Sequence, residues 1–292
     1  MDKGNWAIIV HGGAKPISAD EAAAHRAGCA RAAEAGAEIL ARGGSAVDAA
    51  RRAVVILEDD PTFNAGQGSV ANAAGYIEMD AGIMDGATLA IGAVAAVNRI
   101  ANPIEAAAAM LETPPILLVG KGAERFAYKR GLRCAPPRPS LPKTGARSHD
   151  TVGCVARDQS GHVAAATSTG GISGTLPGRI GDAPLPGCGF YADDATGGVS
   201  LSGDGEAIAR TLLGAQVIRA MEDQPAAEAV ENIHAPMQRL SAEAGVIAID
   251  AAGRIGAAHN SENFALAFAS SDRTDIITAI HQDELKADVS HD

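Results

Sequence analysis

Short apolar runs that end in glycine or turn residues recur along the chain, and each predicts a β-strand. The first, from Trp6 to Val10, leads into the glycine turn His11-Gly-Gly-Ala14. In the second half, two pairs of runs are joined by short turns and predict hairpins. The predicted strands cover residues 6–10, 76–79, 89–97, 116–119, 151–156, 162–167, 246–250 and 254–258.

Alanine-rich stretches between these runs predict helices. Ser18-Ala-Asp-Glu21 has the S-x-x-E pattern of a capping box, and Gly43-Gly44 is a stop signal, so the first helix is expected to end near Arg42. The predicted helices cover residues 18–42, 45–58, 103–112, 123–130, 205–222 and 226–244. The residues after about 271 are polar and are predicted to form a tail.

The order of these elements indicates the fold class. Strands that arrive in hairpins and alternate with pairs of helices favour an α+β fold, with antiparallel sheets covered by helices, over a parallel doubly wound sheet. Prolines and basic residues concentrate between Cys134 and Asp150, which predicts a solvated linker at about 135–150. Because this linker is internal, residues 1–292 are predicted to form one domain.

The composition limits which binding partners and which cellular compartment are expected. The chain has 292 residues, with 24 Lys or Arg and 35 Asp or Glu, and the net charge of −11 argues against nucleic acid. No run approaches the roughly 18 apolar residues of a membrane span, and none resembles a signal segment. The four cysteines form no C-x-x-C pair, which is typical of free thiols in a reducing compartment. We therefore expect a soluble, cytoplasmic protein.

Hydroxyl, glycine and charged residues concentrate in four motifs of the second half. The motifs are Asp150-Thr-Val-Gly153, Ala166-Thr-Ser-Thr-Gly-Gly171, Pro177-Gly-Arg-Ile-Gly-Asp182 and Ser202-Gly-Asp-Gly-Glu206. Such a set suits acyl transfer to a hydroxyl, with glycine-exposed N–H groups for an oxyanion and an Arg and Asp for a small zwitterionic amino acid. Arg179 and Asp182 are also spaced for a surface salt bridge, which is the alternative interpretation.

The general base is the missing part. The sequence contains no G-x-S-x-G elbow and no ordered Ser, His and Asp set. A threonine directly after a linker offers a solution, because chain cleavage before Thr151 would free its α-amine. That amine has a pKa of about 7.7–8.0, close to the working pH of a base.

Taken in order, the motifs resemble those of plant-type L-asparaginases and isoaspartyl peptidases, the asparaginase type 2 family of N-terminal nucleophile hydrolases. The resemblance spans nearly the whole chain and includes His11-Gly-Gly-Ala14, Phe63-Asn-Ala-Gly66 and Met84-Asp-Gly86. It implies a four-layer αββα sandwich. It also implies self-cleavage between Asp150 and Thr151 into fragments 1–150 and 151–292, and a dimer of such αβ units.

The resemblance assigns roles to individual residues. Thr151 is expected to be the nucleophile and Thr169 to help activate it. The oxyanion pair, the substrate grip and an asparagine near the nucleophile correspond to Ser202, Gly203, Arg179, Asp182, Gly205 and Asn64. Ser202 replaces the usual threonine, and Asp204 adds an acidic group to the substrate loop.

One ion and no other cofactor is implied. In related bacterial enzymes, backbone carbonyls around the Phe-Asn-Ala-Gly motif bind sodium. The corresponding residues are Leu57, Glu58, Asp60, Phe63, Ala65 and Gln67.

The expected function is hydrolysis of β-aspartyl amide bonds in isoaspartyl dipeptides and in L-asparagine, which are small-molecule substrates. Glycosylasparaginase is the nearest alternative, since His149-Asp-Thr151 and Tyr191-Ala-Asp-Asp194 resemble that branch, but Gly170-Gly171 replaces its Asn-Gly. A non-catalytic amino-acid-binding protein is the alternative of another class.

Overall fold

Two β-sheets lie face to face in the middle of the molecule, with helices on both outer sides. The computed structural model describes residues 4–134, 151–273, 275–281 and 283–284, so the predicted linker lies outside the described residues. Within the described residues, the strands are β1 (Ala7–Ala14), β2 (Met79–Asp85), β3 (Ala90–Val97), β4 (Leu117–Val119), β5 (Val152–Arg157), β6 (Val163–Thr169), β7 (Phe190–Asp193), β8 (Gly197–Gly203), β9 (Ala244–Asp250), β10 (Ile255–His259), β11 (Phe264–Ser270) and β12 (Ile277–Ala279).

The helices follow the predicted segments in the first half and are shorter in the second. They are α1 (Ala19–Ala41), α2 (Ala46–Asp59), α3 (Pro103–Ala108), α4 (Gly120–Lys129), α5 (Gly205–Thr211), α6 (Leu213–Ala220), α7 (Ala226–Ala229) and α8 (His234–Leu240). Short 3-10 turns cover Gly66–Gly68 and Val230–Ile233. Among the helices described here, none combines the length and apolar character needed to cross a membrane.

The sheet topology confirms the hairpin prediction. The larger sheet has the order β12-β11-β1-β5-β6-β2-β3-β4, and the smaller one has the order β10-β9-β8-β7. Their neighbouring strands pair antiparallel, except that β3 and β4 run parallel. The connection between β3 and β4 contains α3, as a crossover between parallel strands requires.

Three apolar clusters fill the spaces between four layers. One cluster joins the larger sheet to α1–α4 and includes Ile8 and Val54. A second lies between the sheets and includes Ile9 and Phe190. The third joins the smaller sheet to α5–α8 and includes Val217. The order of layers is therefore helix, sheet, sheet, helix, which confirms the αββα prediction.

The predicted glycine turn at 11–14 is wrong, because β1 continues through it. A β-bulge separates His11 and Ala14 in the pairing with β11, and Gly13 has φ 106°. Gly12 packs so tightly that a Cβ there would lie 2.3 Å from the Phe63 ring. The glycines thus allow the strand to bend and approach its neighbours, and they do not end it.

The two long helices predicted at 205–222 and 226–244 are also wrong as continuous helices. Leu212 adopts a left-handed conformation with φ 51° and separates α5 from α6. The second segment consists of α7, a 3-10 turn and α8, and Ser241 (φ 51°) ends α8 before β9. A residue in the left-handed conformation breaks the helical hydrogen-bond ladder. Leucine rarely adopts this conformation, so the tertiary fold must maintain it at Leu212.

Several strands depart from the predictions. The run at 76–79 only precedes β2, while β7, β8 and β11 were not predicted. The expected polar tail contains β12, which pairs with β11. Glu284 in the same segment accepts a 2.6 Å ion pair from Arg26 of α1. Strands that are buried on both faces lack the alternation that identifies a half-exposed strand, so their signal is weak.

Candidate active site

Thr151 lies immediately before β5, in the centre of the larger sheet. The Thr151 side chain is buried, with 6% of the residue exposed. The register of β5 and β6 pairs Val152 with Ser168, so the next position on each strand brings Thr151 beside Thr169. Asp150, the other residue of the predicted cleavage site, lies outside the described residues.

Thr169 ends β6 and is followed by a tight glycine loop that Asn64 holds. The Thr169 Oγ1 accepts a 3.3 Å hydrogen bond from the Gly171 N–H. Asn64 donates from its amide to the Gly171 carbonyl at 2.7 Å and accepts from the Gly170 N–H at 2.7 Å through its own carbonyl. A Cβ on Gly170 would lie 2.6 Å from the Asn64 Oδ1, so this contact requires glycine.

A buried histidine, His11, forms a hydrogen bond with the Thr151 backbone. The His11 Nε2 is 2.9 Å from the Ser200 Oγ, which donates to the Ala166 carbonyl at 3.2 Å. Burial lowers the pKa of His11 to about 3, and a hydrogen bond with the Thr151 backbone partly opposes this shift. His11 is therefore neutral and links Thr151 to the facing strand β8.

Ser202 and Gly203 end β8 on the opposite sheet. Ser202 is fully buried, and its Oγ accepts a 3.1 Å hydrogen bond from the Ala14 N–H of β1. Gly203 has φ 143°, and a Cβ there would lie 2.3 Å from the Glu243 carbonyl. The smaller sheet therefore brings these two residues to the end of β1, near the start of β5.

The partner of Arg179 differs from the local salt bridge considered above. Arg179 donates from Nε and Nη2 to the two carboxylate oxygens of Glu206, at 2.8 and 2.6 Å. This side-on pair leaves the two N–H bonds of Nη1 and one of Nη2 outside it. Glu206, on α5, thereby orients the guanidinium.

Asp182 carries a buried oxygen without a hydrogen-bond partner. Only 3% of Asp182 is exposed, and its Oδ2 has no such partner among the described residues. Burial raises the pKa of Asp182 to about 7, while nearby Arg179 opposes the shift and Glu206 adds to it. A buried carboxylate of this kind suits an ammonium group of a ligand.

Gly205 keeps the space between these charged groups open. A Cβ on Gly205 would lie 2.7 Å from the Asp182 Oδ1 and 3.1 Å from the Arg179 Nη2. A small group at that position therefore contacts a carboxylate on one side and a guanidinium on the other. The charges of this cradle are complementary to those of an amino acid, with Asp182 suited to the α-amine and Arg179 to the α-carboxylate.

The predicted cation loop surrounds the 3-10 turn at Gly66–Gly68. Cβ atoms built on Gly66 and Gly68 would lie 2.4 Å from the Glu58 carbonyl oxygen and 1.9 Å from the Phe63 carbonyl oxygen, so each oxygen packs closely against a glycine of this turn. The carbonyls of three other predicted ligands already accept backbone hydrogen bonds; they belong to Leu57, Asp60 and Ala65. No group of three His, Cys, Asp or Glu side chains suited to a metal occurs in the described part of the chain.

Sequence reasoning assigned no side-chain role to four contributors to this region. They are His11, Glu58, Asp80 and Glu206. Glu58 is buried on α2, and its carboxylate accepts from the Ser168 hydroxyl at 2.7 Å. Glu206 stands at the end of a motif that was identified, and Asp80 follows Glu78 by two residues, so Glu206 and Asp80 each had a sequence signal. His11 stood in the His-Gly-Gly motif and Glu58 among the expected cation ligands, but only the packing of distant segments gives their side chains these partners.

Comparison with known proteins places these residues in a family. The family described as asparaginase matches residues 4–143 and 134–278. The isoaspartyl peptidase/L-asparaginase of Homo sapiens is 47% identical over 229 residues, which cover 72% of this chain and 74% of that protein. The Bos taurus protein of the same name is 42% identical over 271 residues, or 85% of this chain and 88% of the relative.

A bacterial relative matches over a longer region. The isoaspartyl peptidase of Salmonella typhimurium strain LT2 is 38% identical over 290 residues, covering 87% of this chain and 92% of the relative. The family match covers both the segment that contains Asn64 and the segment from Thr151 to Gly205. The chain therefore belongs to the asparaginase family, a family of hydrolytic enzymes.

Proposed function

We propose that this protein is a self-processing threonine hydrolase of β-aspartyl amide bonds, acting on isoaspartyl dipeptides and L-asparagine. The observation that carries the proposal is a chain of neighbours from Thr151 to the cradle of Arg179, Asp182 and Gly205. Buried Thr151 lies beside Thr169, whose partner on β2 is Asp80, and Asp80 hydrogen-bonds Gly181 in the loop of that cradle. The names of the relatives, isoaspartyl peptidase and L-asparaginase, support the same substrate class.

Maturation would proceed at the bond before Thr151. The Thr151 Oγ attacks the carbonyl carbon of Asp150, the amide C–N bond breaks, and the nitrogen takes the hydroxyl proton. Water then hydrolyses the resulting ester, which frees the Asp150 carboxylate and regenerates the hydroxyl. The products are fragments 1–150 and 151–292, and the new α-amine of Thr151 is the base of the mature enzyme.

Substrate hydrolysis would use the same hydroxyl. Arg179 binds the α-carboxylate through its remaining N–H groups, and Asp182 binds the α-amine. Thr151 attacks the side-chain amide carbon, and its amine takes the hydroxyl proton and passes it to the leaving amine. Ser202 and Gly203 stabilise the oxyanion. Water releases L-aspartate from the acyl-enzyme.

Other groups have supporting roles in this proposal. Thr169, beside Thr151, helps activate the nucleophile, and Asn64 maintains the loop that follows Thr169. The carbonyls of Glu58 and Phe63, each close to a glycine of the 66–68 turn, would be oxygen ligands for a cation such as sodium, which would rigidify the Asn64 loop. No catalytic step requires that ion.

The assembly and compartment belong to the same proposal. We expect a dimer of αβ units in the cytoplasm. The support for the compartment is that the four cysteines are free thiols, three of them buried, whereas the dimer is carried over from the family resemblance.

Intact-mass spectrometry and N-terminal sequencing of wild type, Thr151→Ala and Thr151→Ser test the proposal. Wild type is expected to yield two fragments that meet at Asp150 and Thr151 and to hydrolyse β-aspartyl dipeptides and L-asparagine. Thr151→Ala should remain one inactive chain. Thr151→Ser keeps a hydroxyl and should process more slowly.

An uncleaved, inactive wild type would contradict the proposal and favour amino-acid binding without catalysis. An active Thr151→Ala variant would exclude the threonine as nucleophile. A glucosamine-linked asparagine substrate is included as a third assay, because faster cleavage of this substrate would favour glycosylasparaginase.

A further inference from the structure

Two acidic residues at the start of β2 face the loop that carries Arg179. Glu78 precedes β2 and Asp80 belongs to it, and residues two apart on a strand point to the same side. Both side chains make hydrogen bonds to backbone amides of residues 178–181. Their roles are separate from the nucleophile, the oxyanion pair and the substrate grip described above.

Glu78 binds the near end of this loop. Its Oε2 accepts a 2.8 Å hydrogen bond from the Gly178 N–H and a 2.9 Å bond from the Asn72 amide. Gly178 has φ 81°, so the chain turns sharply directly before Arg179. The carboxylate therefore fixes the backbone on the N-terminal side of the guanidinium-bearing residue.

Asp80 binds the far end of the loop and is almost completely buried. Its backbone bonds are to Gly181, two residues after Arg179, and to the Ala96 N–H, which lies 2.8 Å from the Asp80 Oδ1. Asp80 also pairs with Thr169 across β2 and β6. The same residue thus connects the substrate loop to the strand that carries Thr169.

We propose that Glu78 and Asp80 are positioning residues that clamp the loop at Gly178 and Gly181 and thereby set the place of Arg179 relative to Thr151. The inference rests on the proposed function, since it assigns these carboxylates to substrate binding by Arg179. Glu206 fixes the guanidinium itself, whereas the clamp fixes the backbone from which it extends. Anchors on both sides of a residue reduce the ordering that a ligand must otherwise impose.

The clamp also contributes charge to the cradle. Negative Asp80 raises the pKa of Asp182, as Glu206 does, and Arg179 opposes both. Around Asp80, Arg179 lowers its pKa and Glu78 raises it, while burial is the largest influence and brings the pKa to about 6. Removing the charge of Asp80 therefore lowers the pKa of Asp182, a change that loosening the loop alone would not produce.

The test compares Asp80→Asn and Glu78→Ala with wild type, with Asp85→Asn as the matched control. Asp85 lies at the other end of β2, where its Oδ1 accepts a 3.1 Å bond from the Ala87 N–H. Asp85→Asn therefore alters the same kind of contact, in which a carboxylate oxygen accepts from a backbone N–H, but outside the loop that carries Arg179. Glu78→Gln is included because an amide oxygen can still accept both hydrogen bonds.

We expect Asp80→Asn and Glu78→Ala to raise the KM for L-asparagine and for a β-aspartyl dipeptide by about 10- to 100-fold, the range of one or two lost hydrogen bonds to charged groups. The kcat should change by less than about fivefold, and cleavage before Thr151 should proceed as in wild type. Glu78→Gln and Asp85→Asn should keep the wild-type KM. Melting temperatures are measured for every variant.

The second readout is the pH dependence of L-aspartate binding by calorimetry. Ionised Asp182 is required for the ammonium, so binding weakens as pH falls through the pKa of Asp182. The midpoint should lie at lower pH in Asp80→Asn than in wild type and should stay unchanged in Asp85→Asn.

Two patterns of failure are distinguishable. If wild type is unprocessed or inactive, the proposed function is wrong, and the role of the clamp in substrate binding is wrong with it. If wild type is active while Asp80→Asn and Glu78→Ala keep its KM and its pH midpoint, the clamp is wrong. If Asp80→Asn does not fold, Glu78→Ala decides the outcome, because Glu78 is partly exposed and lies outside the strand core.

Discussion

At the residue scale, the chemistry of the site depends on two charged groups, the guanidinium of Arg179 and the buried carboxylate of Asp182. Arg179 is paired side-on with Glu206, while the Asp182 Oδ2 has no hydrogen-bond partner among the described residues. The site therefore contains a guanidinium that is already oriented and a carboxylate oxygen to which no described residue donates a hydrogen bond. A zwitterionic amino acid supplies both missing partners at once.

This asymmetry predicts a pH-dependent KM. Because burial raises the pKa of Asp182 to about 7, the carboxylate becomes neutral as pH falls below that value and loses its attraction for the substrate ammonium. The KM for L-asparagine should therefore rise from pH 8 to pH 6. Asp182→Asn should raise the KM by about 10- to 100-fold and remove this pH dependence.

Steady-state kinetics across that range provide the measurement. Asp204→Asn, two positions beyond Ser202 on the same loop, is the control and should keep the wild-type pH dependence. An Asp182→Asn enzyme with an unchanged KM would rule out Asp182 as the ammonium partner.

At the scale of elements, helix ends and strand edges carry the site residues. Ser45 caps α2, and its Oγ accepts a 3.1 Å hydrogen bond from the Asp48 N–H. The same helix carries Glu58 and leads into the loop that contains Asn64. The N-terminus of α2 is exposed and distant in sequence from that loop. A substitution there should therefore change stability without changing catalysis.

Ser45→Ala is therefore expected to lower the free energy of unfolding by about 1 kcal/mol through loss of the cap. Ser45→Asn keeps both an acceptor and a donor and should cost less. Urea denaturation measures the change, and kcat/KM for L-asparagine should stay at the wild-type value in both variants. A loss of activity without a loss of stability would contradict this assignment.

At the scale of the whole molecule, the two sheets bring together halves of the site from different parts of the chain. Thr151 and Thr169 belong to the larger sheet, and Ser202 and Gly203 end a strand of the smaller one. Fully buried Phe190 lies between the sheets and contacts β2 so closely that a Cβ on Gly82 would lie 2.3 Å from its ring. The distance between the half-sites thus depends on this interior.

Phe190→Ala should lower the free energy of unfolding by about 3–5 kcal/mol, because it removes a ring from a close-packed interior. It should also lower kcat, since Thr151 and the proposed oxyanion pair, Ser202 and Gly203, lie on opposite sheets. Phe190→Leu should have a smaller effect on both. Phe126→Ala, in the outer layer on α4, serves as the control and should leave kcat unchanged.

The sequence predicted some elements well and others poorly, for physical reasons. Helices α1 and α2 begin after Ser18 and Ser45 and end near glycine or an acidic loop, and both were predicted within two residues. Strands β8 and β11 were missed, because burial on both faces removes the alternation that marks a strand. The break at Leu212 had no local signal, since leucine favours helix.

The amino-acid sequence by itself determined the types of chemical group present and their order along the chain: Thr151 after a linker, Thr169 before two glycines, and Arg179 three residues before Asp182. Only the tertiary structure decided the partners of those groups. Glu206 pairs with Arg179, Asp80 hydrogen-bonds Gly181, and His11 hydrogen-bonds the Thr151 backbone, because segments separated in sequence are neighbours in the fold. Local patterns report propensity and burial, whereas a partner is set by packing, which no local pattern records.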